Sequence, residues 1–266
     1  MSPTQQNPLT DLPVRPVGGV PFRVAGFSEA VAAVLAGAAQ VRTQGTGGVA
    51  VHFANAYTVA LADDDPHFGE LFNAADSVTF TDGVPVRWIG RRQHPDVAQD
   101  WDRVYGPDVM TGVLAASTAQ GPRHYLLGGS SQTLALLRAA IAERWPDAQV
   151  VGAESPPFRP LSADEQAEVS RRIDASSADI VWVGLGTPKQ DWEVARIAAA
   201  SPVVAMAVGA AFDFLAGTKP QAPQWLQRAG LEWGYRLATE PRRLGRRYLW
   251  GNPRFLAAAW RGRRDR

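Results

Sequence analysis

Asp82 is the first residue of this chain whose type and place suggest chemistry. It stands in Phe80-Thr81-Asp82-Gly83-Val84-Pro85, directly after a short strand-forming run. An ionised carboxylate there could take a proton from an incoming hydroxyl, which is general-base work. An Asp-Gly pair is also ordinary turn chemistry, so the reading depends on what else converges on it. A second loop, Val183-Gly184-Leu185-Gly186-Thr187-Pro188-Lys189-Gln190, leaves an apolar run and enters a helical one. Gly184 and Gly186 let backbone amides approach a ligand, Pro188 suits a first helical turn, and a helix N-terminus favours a diphosphate. A dinucleotide fingerprint would place a third glycine at position 189, where this chain has lysine. Asn55 closes the first strand-like run and can orient a sugar hydroxyl or a base. Arg103, in Trp101-Asp102-Arg103-Val104-Tyr105-Gly106-Pro107-Asp108, can pair with a phosphate. A cap or a surface ion pair is the plainer use of either.

Asp63-Asp64-Asp65 has the composition of an acidic metal clamp, but it follows a helical stretch and precedes Pro66. That setting marks a helix end and the N-cap of the next helix. The four histidines, His52, His67, His94 and His124, have no ligand spacing, and the chain has no cysteine. Disulfides and thiolate zinc sites are excluded, and we expect neither a metal site nor a cofactor.

Loops this far apart need a scaffold that gathers them. β-rich runs at 48–53, 77–80, 124–127, 149–152, 180–183 and 203–208 alternate with helical spacing at 28–40, 57–62, 66–74, 106–119, 131–144, 163–175 and 189–199. This alternation predicts an α/β, Rossmann-like fold with a mostly parallel, doubly wound sheet, whose ligands sit at the carboxyl ends of the strands. The expected division is a flexible segment at 1–20, a catalytic domain at 21–222 and a basic helical appendage at 223–266.

The appendage has its own signature. From Arg228 to Arg266 eleven arginines meet only Glu232, Glu240 and Asp265, a net charge of +8 in a chain whose total is +1. Trp225, Trp233, Tyr235, Tyr248, Trp250, Phe255 and Trp260 lie in or beside this stretch. Arginine suits bidentate phosphate recognition, and interleaved aromatics suit a partly apolar partner. Arg242, Arg243, Arg246 and Arg247 fall at helical spacing, Gly251-Asn252-Pro253 is expected to stop that helix, and Phe255, Leu256 and Trp260 to follow as a membrane-facing piece. The start of the chain has no signal-peptide pattern and no apolar run reaches membrane-spanning length. The expected location is the cytoplasm, with attachment to a membrane surface left open.

Read in order, the loops resemble the WecG/TagA/CpsF family of bacterial glycosyltransferases (family 26). The matching stretches are Asn55-Ala56, Thr81-Asp82-Gly83-Val84-Pro85, the Arg103 to Asp108 segment, Gly184 to Asp191 and Val208-Gly209-Ala210-Ala211-Phe212-Asp213-Phe214. Most distinctive are Ala222-Pro223-Gln224-Trp225, Gly230-Leu231-Glu232-Trp233-Gly234-Tyr235-Arg236-Leu237, Glu240-Pro241-Arg242-Arg243 and Arg246-Arg247-Tyr248-Leu249. The resemblance implies inverting transfer of a sugar from a nucleotide diphosphate donor, UDP-linked in expectation, to a polyprenyl-diphosphate-linked acceptor. It implies that Asp82 is the base, that Asn55 and Arg103 line the site, and that Gln190 lies behind the glycine loop against the nucleotide sugar. Arg236, Arg243 and Arg246 would hold the donor diphosphate, with Arg242 and Arg247 close behind. Many relatives carry threonine two residues before the asparagine; this chain has Phe53, which leaves the donor hexose open among N-acetylmannosamine, glucose and others.

Two rival readings fit less of the chain. A nicotinamide-dependent enzyme needs the missing glycine and an acidic residue about 20 positions beyond the loop. A nucleic-acid module would use the arginines and aromatics but leave Asp82, Gln190 and the two glycines without a task. No nucleic-acid partner is expected.

Overall fold

A computed structural model of the chain describes residues 7–45, 47–223, 225–226 and 231–264; the side chains of Arg236, Arg243, Arg246, Arg263 and Arg264 lie outside that description. The chain begins with helix α1 (Pro8–Asp11) and an antiparallel hairpin, β1 (Val14–Val17) and β2 (Val20–Arg23). Helix α2 (Phe27–Gln44) then leads into the sheet. The order continues β3 (Val49–Ala54), α3 (Ala56–Asp64), α4 (Pro66–Asn73), β4 (Ser77–Thr81), α5 (Val84–Gln93) and α6 (Gly106–Ala115). Next come β5 (Arg123–Gly128), α7 (Ser131–Arg144), β6 (Gln149–Glu154), α8 (Ala163–Ser176), β7 (Ile180–Gly184), α9 (Lys189–Ala200), β8 (Val204–Ala207) and α10 (Ala211–Leu215). Helices α11 (Glu232–Thr239) and α12 (Pro241–Arg264) close the chain.

Six strands form one parallel sheet in the order β4-β3-β8-β7-β5-β6. The fold is α/β and Rossmann-like, as the alternation predicts. Strand β3 shows why: all six of its residues are buried, as befits a parallel strand covered on both faces. One face packs against α2, α6, α7 and α10 through residues such as Val34, Met110, Leu137 and Phe212. The other packs against α8 and α9 through Ile173, Val194 and Ile197. A third core joins the hairpin, α3, α4 and α5 to the end of α12, with Phe22, Val59, Phe72, Val86, Phe255, Ala258 and Ala259 as members.

Three expectations need correction. The segment 1–20 is not a flexible lead where it is described: Leu9 and Val17 are fully buried, and Asn7 caps α1 while its side-chain amide donates to the Gly37 carbonyl. A four-residue helix and four-residue strands are too short to leave a periodic signal, yet burying their few apolar side chains is enough to dock them. Gly251-Asn252-Pro253 does not stop the last helix, which runs on through Pro253. Tertiary packing overrides the breaker: Gly251 lies against Tyr57 of α3 so closely that a Cβ would come 3.1 Å from its ring. Phe255 then enters the third core at 2 % exposure instead of facing a membrane, while Leu256 and Trp260 stay exposed.

Candidate active site

The carboxyl ends of four neighbouring strands, β4, β3, β8 and β7, open into one pocket of about 470 Å³. Asp82 sits at its floor. Its N–H donates to the Ala54 carbonyl at 3.0 Å, carrying the β3–β4 pairing one residue past the strands. Thr81 before it accepts from the Trp101 indole at 2.8 Å, and Trp101 in turn packs against Gly90 of α5 with no room for a Cβ. The loop is thus pinned from behind. Its carboxylate accepts from the Asn55 amide at 3.4 Å on one oxygen and from the Gly106 N–H at 3.4 Å on the other.

Asn55 caps α3, its side-chain oxygen accepting from the N–H groups of Tyr57 and Thr58 at 3.0 and 3.3 Å. That use fixes which end of the amide faces Asp82. Arg103 reaches the same spot from the extended segment before α6: its Nε donates to the Asp82 carbonyl at 2.9 Å, and its guanidinium lies 4.1 Å over the Tyr105 ring. Burial works against the charge on Arg103, but the nearby Asp82, Glu232 and Tyr105 outweigh it and raise its pKa. Burial likewise pushes the Asp108 carboxyl up, with Arg103 opposing and Glu232 adding to the rise.

The glycine loop forms a second wall. Gly184 has no space for a side chain, since a Cβ would fall 2.7 Å from the Phe212 ring, and Gly186 turns in the left-handed region at φ 76°. Gln190, almost fully buried, bolts this loop to the next strand: its oxygen accepts from the Gly186 N–H at 2.9 Å and its nitrogen donates to the Ala207 carbonyl at 3.0 Å. Phe53 completes an apolar stretch of floor, stacked 5.9 Å from Phe80.

Helices α11 and α12 supply the roof. Glu232, in the first turn of α11, accepts from Arg103 Nη2 at 2.5 Å and from the Tyr105 hydroxyl at 2.7 Å. Arg247 of α12 donates to the Thr187 carbonyl at 3.3 Å and lies 4.8 Å over the Tyr57 ring. Trp233, Leu244, Tyr248, Asn252 and Leu256 fill the rest of the roof.

A family model for glycosyl transferases of the WecG/TagA/CpsF type matches residues 15–266. The chain belongs to that family. This makes it a glycosyltransferase of cell-surface polysaccharide synthesis. Of the residues singled out in the sequence, Asn55, Asp82, Arg103, Gly186 and Gln190 line the transferase's pocket, with Gly184 just behind the wall. Arg236, Arg243 and Arg246 stand on α11 and α12, but where their side chains point lies outside the described residues. Sequence reasoning passed over Glu232 and Tyr105; the available signal was that Glu232 is one of only three acids, with Glu240 and Asp265, among eleven arginines.

The acidic run lies elsewhere in the transferase. Asp65 caps α4, accepting from the N–H groups of His67 and Phe68, while Asp63 and Asp64 pair with Arg261 and Arg254 of α12 at 2.6 and 3.4 Å. Among the described residues no group of three acids or histidines has the geometry to hold a metal ion, and no helix is long and apolar enough to cross a membrane.

Proposed function

We propose that the enzyme moves a hexose or N-acetylhexosamine, N-acetylmannosamine-like, from a UDP-linked donor to a polyprenyl-diphosphate-linked saccharide, inverting the anomeric centre. The observation that carries this reading is the Asp82 carboxylate, held by Asn55 and the Gly106 N–H at the floor of a pocket walled by the glycine loop. The acceptor hydroxyl attacks the anomeric carbon as the bond to the donor phosphate breaks. The hydroxyl proton passes to Asp82, and the electron pair leaves with the nucleoside diphosphate. Arginines can stabilise the charge that develops on this leaving group without a metal. Arg247 has its guanidinium in the roof, and Arg236, Arg243 and Arg246 are the further candidates for this task.

Attachment to the inner face of the membrane fits the surface around the pocket mouth. Trp88 of α5, Trp233 of α11 and Leu256 of α12 line the pocket and are exposed, and Leu249 and Trp260 of α12 are exposed as well, in a stretch of sequence rich in arginine. Aromatic and aliphatic side chains of this kind insert at the headgroup boundary, and each nearby arginine contributes about 1 kcal/mol toward an anionic surface. The test is a panel of nucleotide sugars offered with a short-chain lipid-diphosphate-linked monosaccharide as acceptor. One donor is expected to give a disaccharide-lipid product; release of monosaccharide only, whichever donor is used, would sink the transfer reading.

A further inference from the structure

Glu232 is out of place on electrostatic grounds. A pocket meant for a diphosphate gains nothing from a second carboxylate, yet Glu232 is only 8 % exposed and holds two specific bonds inside it. A buried carboxylate persists only where its partners offset the loss of water, and here the partners are Arg103 and the Tyr105 hydroxyl. Arg103 is the same residue that grips the Asp82 loop through its carbonyl. One guanidinium therefore joins the main-chain carbonyl of Asp82 to the Glu232 carboxylate of α11, and the Asp82 carboxylate, itself held by Asn55 and the Gly106 N–H, lies near enough for its charge to act on Arg103.

We propose that Glu232 is a positioning residue and counter-charge for Asp82, acting through Arg103, so that docking of α11 sets both the pose and the basicity of the base. This rests on the reading of Asp82 given above. A carboxylate facing an unshared guanidinium is held in its ionised form and takes a proton poorly. Sharing that guanidinium with Glu232 returns proton affinity to Asp82, and the 2.5 Å bond fixes Arg103 in the orientation that reaches the Asp82 carbonyl. The Tyr105 hydroxyl fixes the other Glu232 oxygen, so α11 cannot slide without loosening the loop. The charged and titratable groups described around Asp82 are Arg103 and Tyr105 before α6, Asp108 on α6, Tyr57 on α3, Arg247 and Tyr248 on α12, and Glu232. Arg87 of α5 is paired with Asp102 at 3.1 Å. Glu232 is the one carboxylate of this set that reaches Arg103 from the appendage.

The variant Glu232→Gln keeps the shape and removes the charge. The experiment follows the Asp82 carboxyl carbon by 13C NMR against pH in the full chain, assigned by comparison with Asp82→Asn, together with the acid limb of kcat/KM. The midpoint of Asp82 and the acid limb are both expected to fall by about one pH unit, as for loss of a nearby like charge. The value of kcat is expected to drop about 10-fold with donor KM changed much less. Tyr105→Phe, which leaves the charge but frees one Glu232 oxygen, is expected to shift both in the same direction by less, and serves if the first variant does not fold. An unmoved midpoint in both variants, or a rise, overturns the proposal. A lower midpoint in a protein that turns over no sugar donor would leave the coupling standing and remove the transfer reading instead, since the NMR readout needs no substrate.

Discussion

The floor and the roof of the pocket are built by different means. On the floor, each polar side chain is fixed by backbone groups close to it: Asn55 by the α3 N-terminus, Asp82 by Gly106 and the β3–β4 pairing, Gln190 by Gly186 and Ala207. The roof is tied down at two distinct places. Toward the C-terminal end of α12 it is held by an apolar bolt, Phe255, Ala258 and Ala259 against α3 and the hairpin, with Phe255 also lining the pocket, whereas Glu232 and Arg247 hold it by polar ties. The difference amounts to a division of labour: a floor whose polar side chains are held by nearby backbone groups, and a roof held by apolar packing in one place and by polar ties in another.

The sharpest way to break this comparison is at the floor. Asp82→Asn keeps the shape of the side chain but cannot accept a proton, so turnover is expected to fall by about 10²- to 10⁴-fold with nucleotide affinity nearly unchanged by calorimetry. A wild-type rate at saturation would reduce Asp82 to a turn residue. The next largest effect belongs to the bolt. Phe255→Ala should cost about 3–5 kcal/mol of stability in urea unfolding, as for other buried aromatic truncations. Leu249→Ala, on the same helix but 82 % exposed, should stay within about 0.5 kcal/mol while weakening binding to anionic vesicles. Equal losses for the two variants would mean that α12 is not anchored through Phe255.

A somewhat smaller effect separates the sheet from its roof by pH. His124 on β5 is fully buried; its Nδ1 accepts from the Trp182 indole at 3.2 Å, which leaves Nε2 to donate to the Ser117 hydroxyl at 3.0 Å. Burial pushes its pKa down to about 4 from an ordinary 6.5, with Asp179 opposing. The unfolded chain therefore binds a proton that the folded one refuses. Stability is full above pH 6.5 and declines as pH falls toward 4, by about 3 kcal/mol in all. His124→Gln should flatten that slope in denaturation midpoints between pH 4 and 7; an unchanged slope would assign it to other groups.

Much of the floor was legible because parallel strands buried on both faces read as continuous apolar runs, and the loops after them must then face one edge of the sheet. Asn55, Asp82 and Gln190 follow from that rule plus motif order. Helix α5 was not foreseen: Val-Pro-Val-Arg-Trp-Ile-Gly-Arg-Arg-Gln carries a proline in its first turn and a glycine whose place is explained only by the Trp101 ring above it. The continuity of α12 was hidden for the same reason, since Gly251 and Pro253 signal a stop locally and only packing against Tyr57, far away in sequence, overrides that signal. Glu232 was invisible as a site residue because an acid among arginines reads as a surface ion pair until its partners are seen to be buried.

The proposed chemistry is a direct, single-base displacement on the floor under a roof that carries Arg247, with no metal. The measurement that tests it most directly is the anomeric configuration of the product, read by NMR from a reaction run with chelator and the best donor of the panel. Sustained turnover is predicted, with a product whose anomeric configuration is opposite to that of the donor. A product of retained configuration, or loss of turnover on chelation that magnesium or manganese restores, would contradict it.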